Sequence, residues 1–257
     1  MTIIRNIIVA FSLYSRIPMP IFTWKENDTK YAISFIPLVG VVIGAMEYGV
    51  LYSMHKLGLP VWAEVFMWAG IPLLITGGFH VDGFMDTMDA LKSYKPKEEK
   101  LAILKDPHIG AFAVISLAAY GCFYLPFSYL LIDSLNYFCI ICACIGFALI
   151  RAIGAYLSLV LKLAKNDGML HTETKDTNAV SKWILIVSMI ILSALLAYFD
   201  VFVAGALLAI LLAFVFWFRA KMYREFGGIT GDTIGYFITV GELIVVIVAA
   251  VLACAGL

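Results

Sequence analysis

Apolar runs of about eighteen or more residues recur along the whole chain, separated by short polar stretches. A water-soluble fold does not carry so many. The pattern predicts seven membrane-spanning helices at roughly 33–54, 61–79, 109–132, 137–161, 182–199, 201–218 and 233–256. Ile3 to Leu13 is apolar but short, and Arg5, Arg16 and the Pro18/Pro20 pair bracket it. That segment reads as an interfacial or re-entrant helix rather than an eighth span, and no small-residue cleavage site follows it as in a signal peptide. With no linker, low-complexity stretch or internal repeat, the expected class is all-α: a polytopic integral membrane helical bundle, one membrane-embedded domain over residues 1–257.

Composition agrees, at 63% hydrophobic and 14% charged. Net charge is zero, which is informative only once the charges are sorted by loop. With the N-terminus placed in the cytoplasm, residues 1–32 carry Arg5, Arg16, Lys25 and Lys30 on that side. The 80–108 loop adds Lys92, Lys95, Lys97, Lys100 and Lys105; the 162–182 loop adds Lys162, Lys165, Lys175 and Lys182; residues 219–232 add Arg219, Lys221 and Arg224. The opposite side has only Lys56, and Arg151 lies inside a span. This is a strong positive-inside bias. It predicts a multi-pass protein of the cytoplasmic membrane whose long loops, and therefore its polar work, face the cytoplasm. A nucleic-acid partner is not expected; the lipid bilayer is.

Against that background the segment Thr76–Ala90, TGGFHVDGFMDTMDA, stands out. Carboxylates beside hydrocarbon are costly unless something positive compensates them. Asp82, Asp86 and Asp89 are spaced i, i+4, i+7, so on a helix they share one face. Three repelling acids call for a divalent cation, and hard oxygen donors without a neighbouring Cys favour Mg²⁺ over zinc.

Other polar features support more than one role. Lys105 and Asp106, just before Gly110 and the third span, could serve a phosphate. Equally, Asp106 could cap a helix before Pro107 while Lys105 anchors the span to anionic lipid. The turn Phe226–Gly235, with Gly227, Gly228, Thr230, Gly231 and Thr233 around Asp232, suits an anion at a helix start. Asp232 is a candidate metal ligand or base, or simply an N-cap. Arg151 and Glu242 lie at similar depth, about 15 Å in from the cytoplasmic ends of their spans, and either pair with each other or leave Arg151 to face a substrate phosphate. Glu47 is a similar case with less to place it. The Lys162–Lys182 loop is long enough to cover a site, with a turn signal at Asn166–Gly168; its His171 is a candidate catalytic group, though a loop histidine is usually just solvated. Cys122, Cys139, Cys142, Cys144 and Cys254 all fall within spans and read as small apolar residues.

No Walker A, HExxH or GxSxG motif occurs, which leaves ATPase, zinc-protease and hydrolase readings without support. Acids, a few bases and glycine-rich turns suit a pyrophosphate-containing substrate. CDP-alcohol phosphotransferases begin their motif as Asp82-Gly83 does, but this chain has Asp86-Thr87 where Ala-Arg should stand. Aromatic prenyltransferases need a second Asp-rich motif, and here only Asp232 is available. An ion-coupled transporter would place polar groups on both sides.

GGFHVDGFMDTMDA closely resembles the GG-x-H-x-DG-x-x-DT-x-D signature of the cobalamin synthase family, the adenosylcobinamide-GDP ribazoletransferases. Ser15–Pro20 (SRIPMP), Phe35–Gly40 (FIPLVG), Lys105–Gly110, Gly227–Gly235 and Gly241-Glu242-Leu243 resemble further family segments in the same order, and the loop after Lys162 matches least. The resemblance implies transfer of adenosylcobinamide phosphate from adenosylcobinamide-GDP to α-ribazole or its 5′-phosphate, with release of GMP and dependence on Mg²⁺. It implies Asp82 and Asp86 as metal ligands, with Asp89 or Asp232 completing the shell or acting as base. Lys105 and Arg151 are then candidates for the phosphates. Gly227, Gly228, Thr230, Gly231 and Thr233 are candidates for substrate contacts, and His80 for orienting a carboxylate. Homo-oligomerisation, or docking of other cobalamin-assembly enzymes on the loops, is left open.

Overall fold

The computed structural model describes residues 2–23, 31–165, 168–175 and 179–256. Lys25, Lys30 and the expected turn at Asn166-Asp167 lie outside the described residues. Among the described residues the chain is helical, with a lone β-bridge between Leu163 and Ile229. Its α-helices are α1 (Thr2–Tyr14), α2 (Ile36–Lys56), α3 (Val61–Thr76), α4 (Phe79–Lys92), α5 (Lys97–Ile103) and α6 (Ala111–Asp133). They continue with α7 (Tyr137–Val160), α8 (Met169–Lys175), α9 (Ala179–Phe199), α10 (Val201–Phe226) and α11 (Gly231–Cys254). Of these, α2, α6, α7, α9, α10 and α11 are long and apolar enough to cross a membrane.

The seventh expected span is different. Helix α3 stops at Thr76, because Gly77 and Gly78 both take left-handed backbone (φ 66° and 78°), and α4 leaves at 94° to α3. Two consecutive left-handed residues are what glycine supplies and other residues rarely can. The acidic helix therefore does not continue the axis of α3; it packs against the first turns of α11 and against α6. The last two turns of α10 extend past residue 218, so Arg219, Lys221 and Arg224 stand on a helix rather than in a loop. Helix α1 is too short to span, and it buries Val9, Ala10, Phe11 and Tyr14 while leaving Ile3 and Ile4 exposed.

Helix α7 is the centre of the bundle: 83% of its spanning window is buried, against 22% for α9 and 33% for α10. Lipid tails are as apolar as leucine, so helices associate here through close fit rather than through expulsion of water. Gly40 and Gly44, four apart on α2, provide that fit. A Cβ on Gly44 would lie 2.4 Å from the Cys144 carbonyl oxygen of α7, and one on Gly40 would lie 2.5 Å from the Ala148 Cα. At the same core, Arg151 of α7 and Glu242 of α11 form a buried ion pair at 2.7 Å, and the Arg151 Nη1 also donates to the Phe147 carbonyl at 2.9 Å.

The two ends of the bundle differ as the charge sorting predicts. One end gathers the polar loops: Lys100 pairs with Glu225, which also meets Lys221 and Arg224, and this ties α5 to α10. At the other end the connections are short, and His55 approaches Glu64 at 3.7 Å.

Adding a methyl group at the α2–α7 contact should force the helices apart. Gly44→Ala is expected to destabilise the detergent-solubilised protein by about 1–3 kcal/mol. Gly49→Ala, on the same helix with nothing within 4 Å of its Cβ position, should unfold as the wild type does; thermal unfolding of the two variants checks this.

Candidate active site

The polar end of the bundle contains a cavity of about 380 Å³. Helix α4 supplies Phe79, His80, Asp82 and Gly83; the start of α11 supplies Thr230, Gly231, Asp232 and Gly235; Ala155 and Ser158 come from the end of α7. Lys105 enters from the loop before α6, and Lys165, Leu170 and His171 come from the segment after α7. That segment does fold over the site, as its length suggested.

The arrangement depends on close contact between α4 and α11. A Cβ on Gly83 would lie 2.8 Å from the Asp232 carbonyl oxygen, so only glycine lets the acidic helix rest on the start of α11. Phe84 reaches past this contact into the bundle, stacking on Tyr236 at 5.8 Å and meeting Tyr120 at 5.6 Å. The start of α11 is held by a reciprocal cap. The Thr230 hydroxyl accepts from the Thr233 N–H at 3.3 Å, and the Thr230 N–H donates to the Thr233 hydroxyl at 2.8 Å. Asp232 is thus not the N-cap; its carboxylate accepts a 3.3 Å hydrogen bond from the Thr230 hydroxyl and points to the cavity side.

The remaining glycines of this turn divide by role. Gly227 ends α10 in left-handed conformation, and Gly228 lies against the backbone of Lys162–Ala164, where a Cβ would meet the Lys162 carbonyl oxygen at 2.5 Å. Gly231 lines the cavity with nothing within 4 Å of its Cβ position. Gly227, Gly228 and Thr233 thus shape the turn without lining the cavity, whereas Thr230, Gly231 and Asp232 line it.

The expected acidic face is present. Asp82 lines the cavity, and Asp86 stands one turn further along α4, half-buried. Burial, then the charges of Asp82, Asp232 and Asp89, push the Asp86 carboxyl up to about 6. Asp89 has turned elsewhere: its carboxylate lies over Gly110, where a Cβ would sit 2.0 Å from an oxygen, and so faces the start of α6. A helix start is a favourable place for an anion. As the side chains stand, no three His, Cys, Asp or Glu groups among the described residues are gathered tightly enough to hold a metal.

Two other expectations resolve. Asp106 is not a helix cap, since Gly110 holds that position before α6; its exposed carboxylate accepts from the His108 backbone N–H at 3.0 Å, which lowers its pKa. Arg151 lies behind the cavity floor in its pair with Glu242 and does not line the cavity, and Glu47 is buried within electrostatic reach of both. His80 is buried against the cavity, and its Nδ1 has no hydrogen-bond partner among the described residues. Sequence reasoning gave Lys165 no site role. It donates to the Leu101 carbonyl at 3.0 Å and carries its charge within reach of Asp232, a placement set entirely by how the loop folds back.

With this geometry in place, comparison with known proteins decides the family. Residues 6–250 match the family model described as Cobalamin-5-phosphate synthase. The chain belongs to that family. It is 36% identical over 242 residues to an adenosylcobinamide-GDP ribazoletransferase of Lachnoclostridium phytofermentans, covering 93% of this chain and 91% of that one. A relative of the same name from Geobacillus kaustophilus is 36% identical over 248 residues, covering 92% of each chain, and one from Clostridium botulinum is 31% identical over 244 residues, covering 93% of this chain and 94% of that one. No solved structure matches.

The burial of Asp86, and the repulsion added to it, have a measurable sign. A carboxyl whose value is raised from 3.8 to about 6 on folding costs stability as pH rises through that window, and the cost is fully present above it. In divalent-free detergent, Asp86→Asn is therefore expected to melt above the wild type near neutral pH, with the gap closing below about pH 4. Paired thermal melts across that range test it.

Proposed function

We propose that the chain is an adenosylcobinamide-GDP ribazoletransferase. In this reading it joins adenosylcobinamide-GDP to α-ribazole or its 5′-phosphate and releases GMP. The observation that carries the reading is the meeting of Asp82, Asp232, Lys105 and Lys165 in one cavity at the polar end of a chain of this family.

Lys105 and Lys165, with the open side of Gly231, receive the pyrophosphate of the GDP moiety, where their positive charge offsets its own. The acceptor hydroxyl oxygen bonds to the phosphorus attached to cobinamide, and the bond from that phosphorus to the bridging oxygen breaks. GMP leaves with the bridging oxygen, and the hydroxyl proton passes to a carboxylate. Asp232 is the better placed base, because it lines the cavity while Asp89 is turned to Gly110. His80, buried in the wall beside Asp82, keeps an Nδ1 that is unpartnered among the described residues and could orient a bound group. The apolar walls from α2, α7 and α11 keep water from competing with the acceptor. Arg151 supports the floor electrostatically through Glu242 rather than by touching phosphate.

The donor type suits a hard divalent cation, which would have to draw these carboxylates closer than they stand. Asp82, Asp86 and Asp232 offer only carboxylate oxygens; burial raises Asp86 most, and the repulsion from Asp82, Asp232 and Asp89 that adds to it is what a cation would relieve. Mg²⁺ held by Asp82 and Asp86 would supply charge to the pyrophosphate and the departing GMP. The basic loops support a cytoplasmic setting for this end of the bundle, in a protein of the cytoplasmic membrane.

Asp82→Asn should lower GMP release by about a hundredfold or more while the protein still elutes as folded material in detergent. Near-normal turnover would sink the assignment of Asp82. Chelation of divalent ions should abolish GMP release from the wild type, and Mg²⁺ should restore it; activity that survives chelation would remove the metal from the scheme.

A further inference from the structure

A second cavity, of about 530 Å³, lies on the other side of α4. Asp82 and Phe79 line both cavities, so α4 is the partition between them. The remaining walls come from the end of α1 and from the Gly77-Gly78 break, and include Arg16 and Met85. Arg16 belongs to the Ser15–Pro20 segment, to which the reaction as described assigns no task.

The charge of this cavity is uneven. Among the described residues lining it, Arg16 is the one cation and Asp82 the one acid, and Asp82 stands on the shared wall. The hydroxyls of Ser12, Ser15 and Thr76 donate to carbonyl oxygens of their own helices, at 2.8, 2.6 and 2.7 Å, so they have no hydrogen left for an incoming anion. The guanidinium is the donor. Its position is held from two sides: the Arg16 backbone N–H donates to the Ile75 carbonyl at 2.7 Å, and its side chain lies over Gly77, where a Cβ would meet the Nε at 2.5 Å. A planar five-donor group at the mouth of a cavity suits a phosphate monoester.

We infer that this second cavity is the acceptor site, and that Arg16 binds the 5′-phosphate of a phosphorylated nucleoside acceptor. The inference rests on the proposed reaction and names where its second substrate sits. It also explains the partition: an acceptor held at one end by Arg16 extends its ribose toward Asp82, where the main cavity presents the pyrophosphate. Arg16 is thus a specificity residue for the phosphorylated over the free acceptor.

The test uses full-length protein in nanodiscs made with and without anionic phospholipid, assayed with α-ribazole 5′-phosphate and with α-ribazole. Arg16→Ala should raise KM for the phosphorylated acceptor about tenfold or more, as loss of a charge-assisted contact does, and leave KM for the free acceptor and for adenosylcobinamide-GDP within about twofold. Arg16→Lys should recover part of the loss. Met85→Trp, which adds bulk to the cavity wall contributed by α4, should raise KM for both acceptors and not for the corrinoid. An equal loss with both acceptors that follows anionic lipid content would mean that Arg16 holds a lipid headgroup, and would overturn the inference. So would a change confined to the corrinoid KM. Direct binding of α-ribazole 5′-phosphate in the absence of corrinoid separates this inference from the reaction itself. If the wild type turns over neither acceptor yet binds this phosphate in an Arg16-dependent way, the reaction falls and the site stands; if Arg16→Ala binds as tightly as wild type, the site falls.

Discussion

An ionised carboxylate in hydrocarbon must be paired or neutralised, or else reach water, and the architecture of this chain follows from that constraint. In the core, Glu242 meets it with Arg151 at 2.7 Å, and the pair locks α7 to α11. At the polar end, Asp82, Asp86 and Asp89 lie on a helix bent away from α3, and Asp232 lies in the first turn of α11, at the end of its span. Proximity still makes these acids repel one another, and that stored repulsion supports the proposed cation.

The break at Gly77-Gly78 makes the site possible. Had α3 continued straight, the acids would have entered the apolar bundle or faced lipid. Instead α4 lies between two cavities and contributes Asp82 to both. In a two-substrate transfer such a partition brings both reactants to one carboxylate while keeping their remote ends apart, and the proximity gained lowers the barrier. The clasp of Gly83 on α11, the Thr230–Thr233 cap and the Phe84 stack hold that partition in register.

Much of this was readable from one dimension. Run lengths and the skew of Lys and Arg place the helices and their common polar end, because hydrocarbon thickness and charge cost act on each segment separately. The spacing of Asp82, Asp86 and Asp89 puts them on one helical face for the same local reason. The depth match of Arg151 and Glu242 anticipated their pair. What sequence left open were choices between partners. Asp106 could serve a phosphate with Lys105 or cap a helix, and its carboxylate instead accepts from the His108 N–H. Asp89 could complete the metal shell or act as base, and its carboxylate lies over Gly110.

Local rules of length, charge and periodicity thus determined by themselves that this is an all-helical membrane protein with an acidic face at its polar end, and the resemblance of its motifs pointed to the family. Only the tertiary structure decided that α4 turns away from the axis of α3 and walls two cavities, that Arg151 stays behind the floor, and that Lys165 lines the first cavity and Arg16 the second. Those outcomes depend on contacts between segments far apart in the chain, such as Gly83 against Asp232 and Arg16 against Gly77, where fit rather than composition selects the partner.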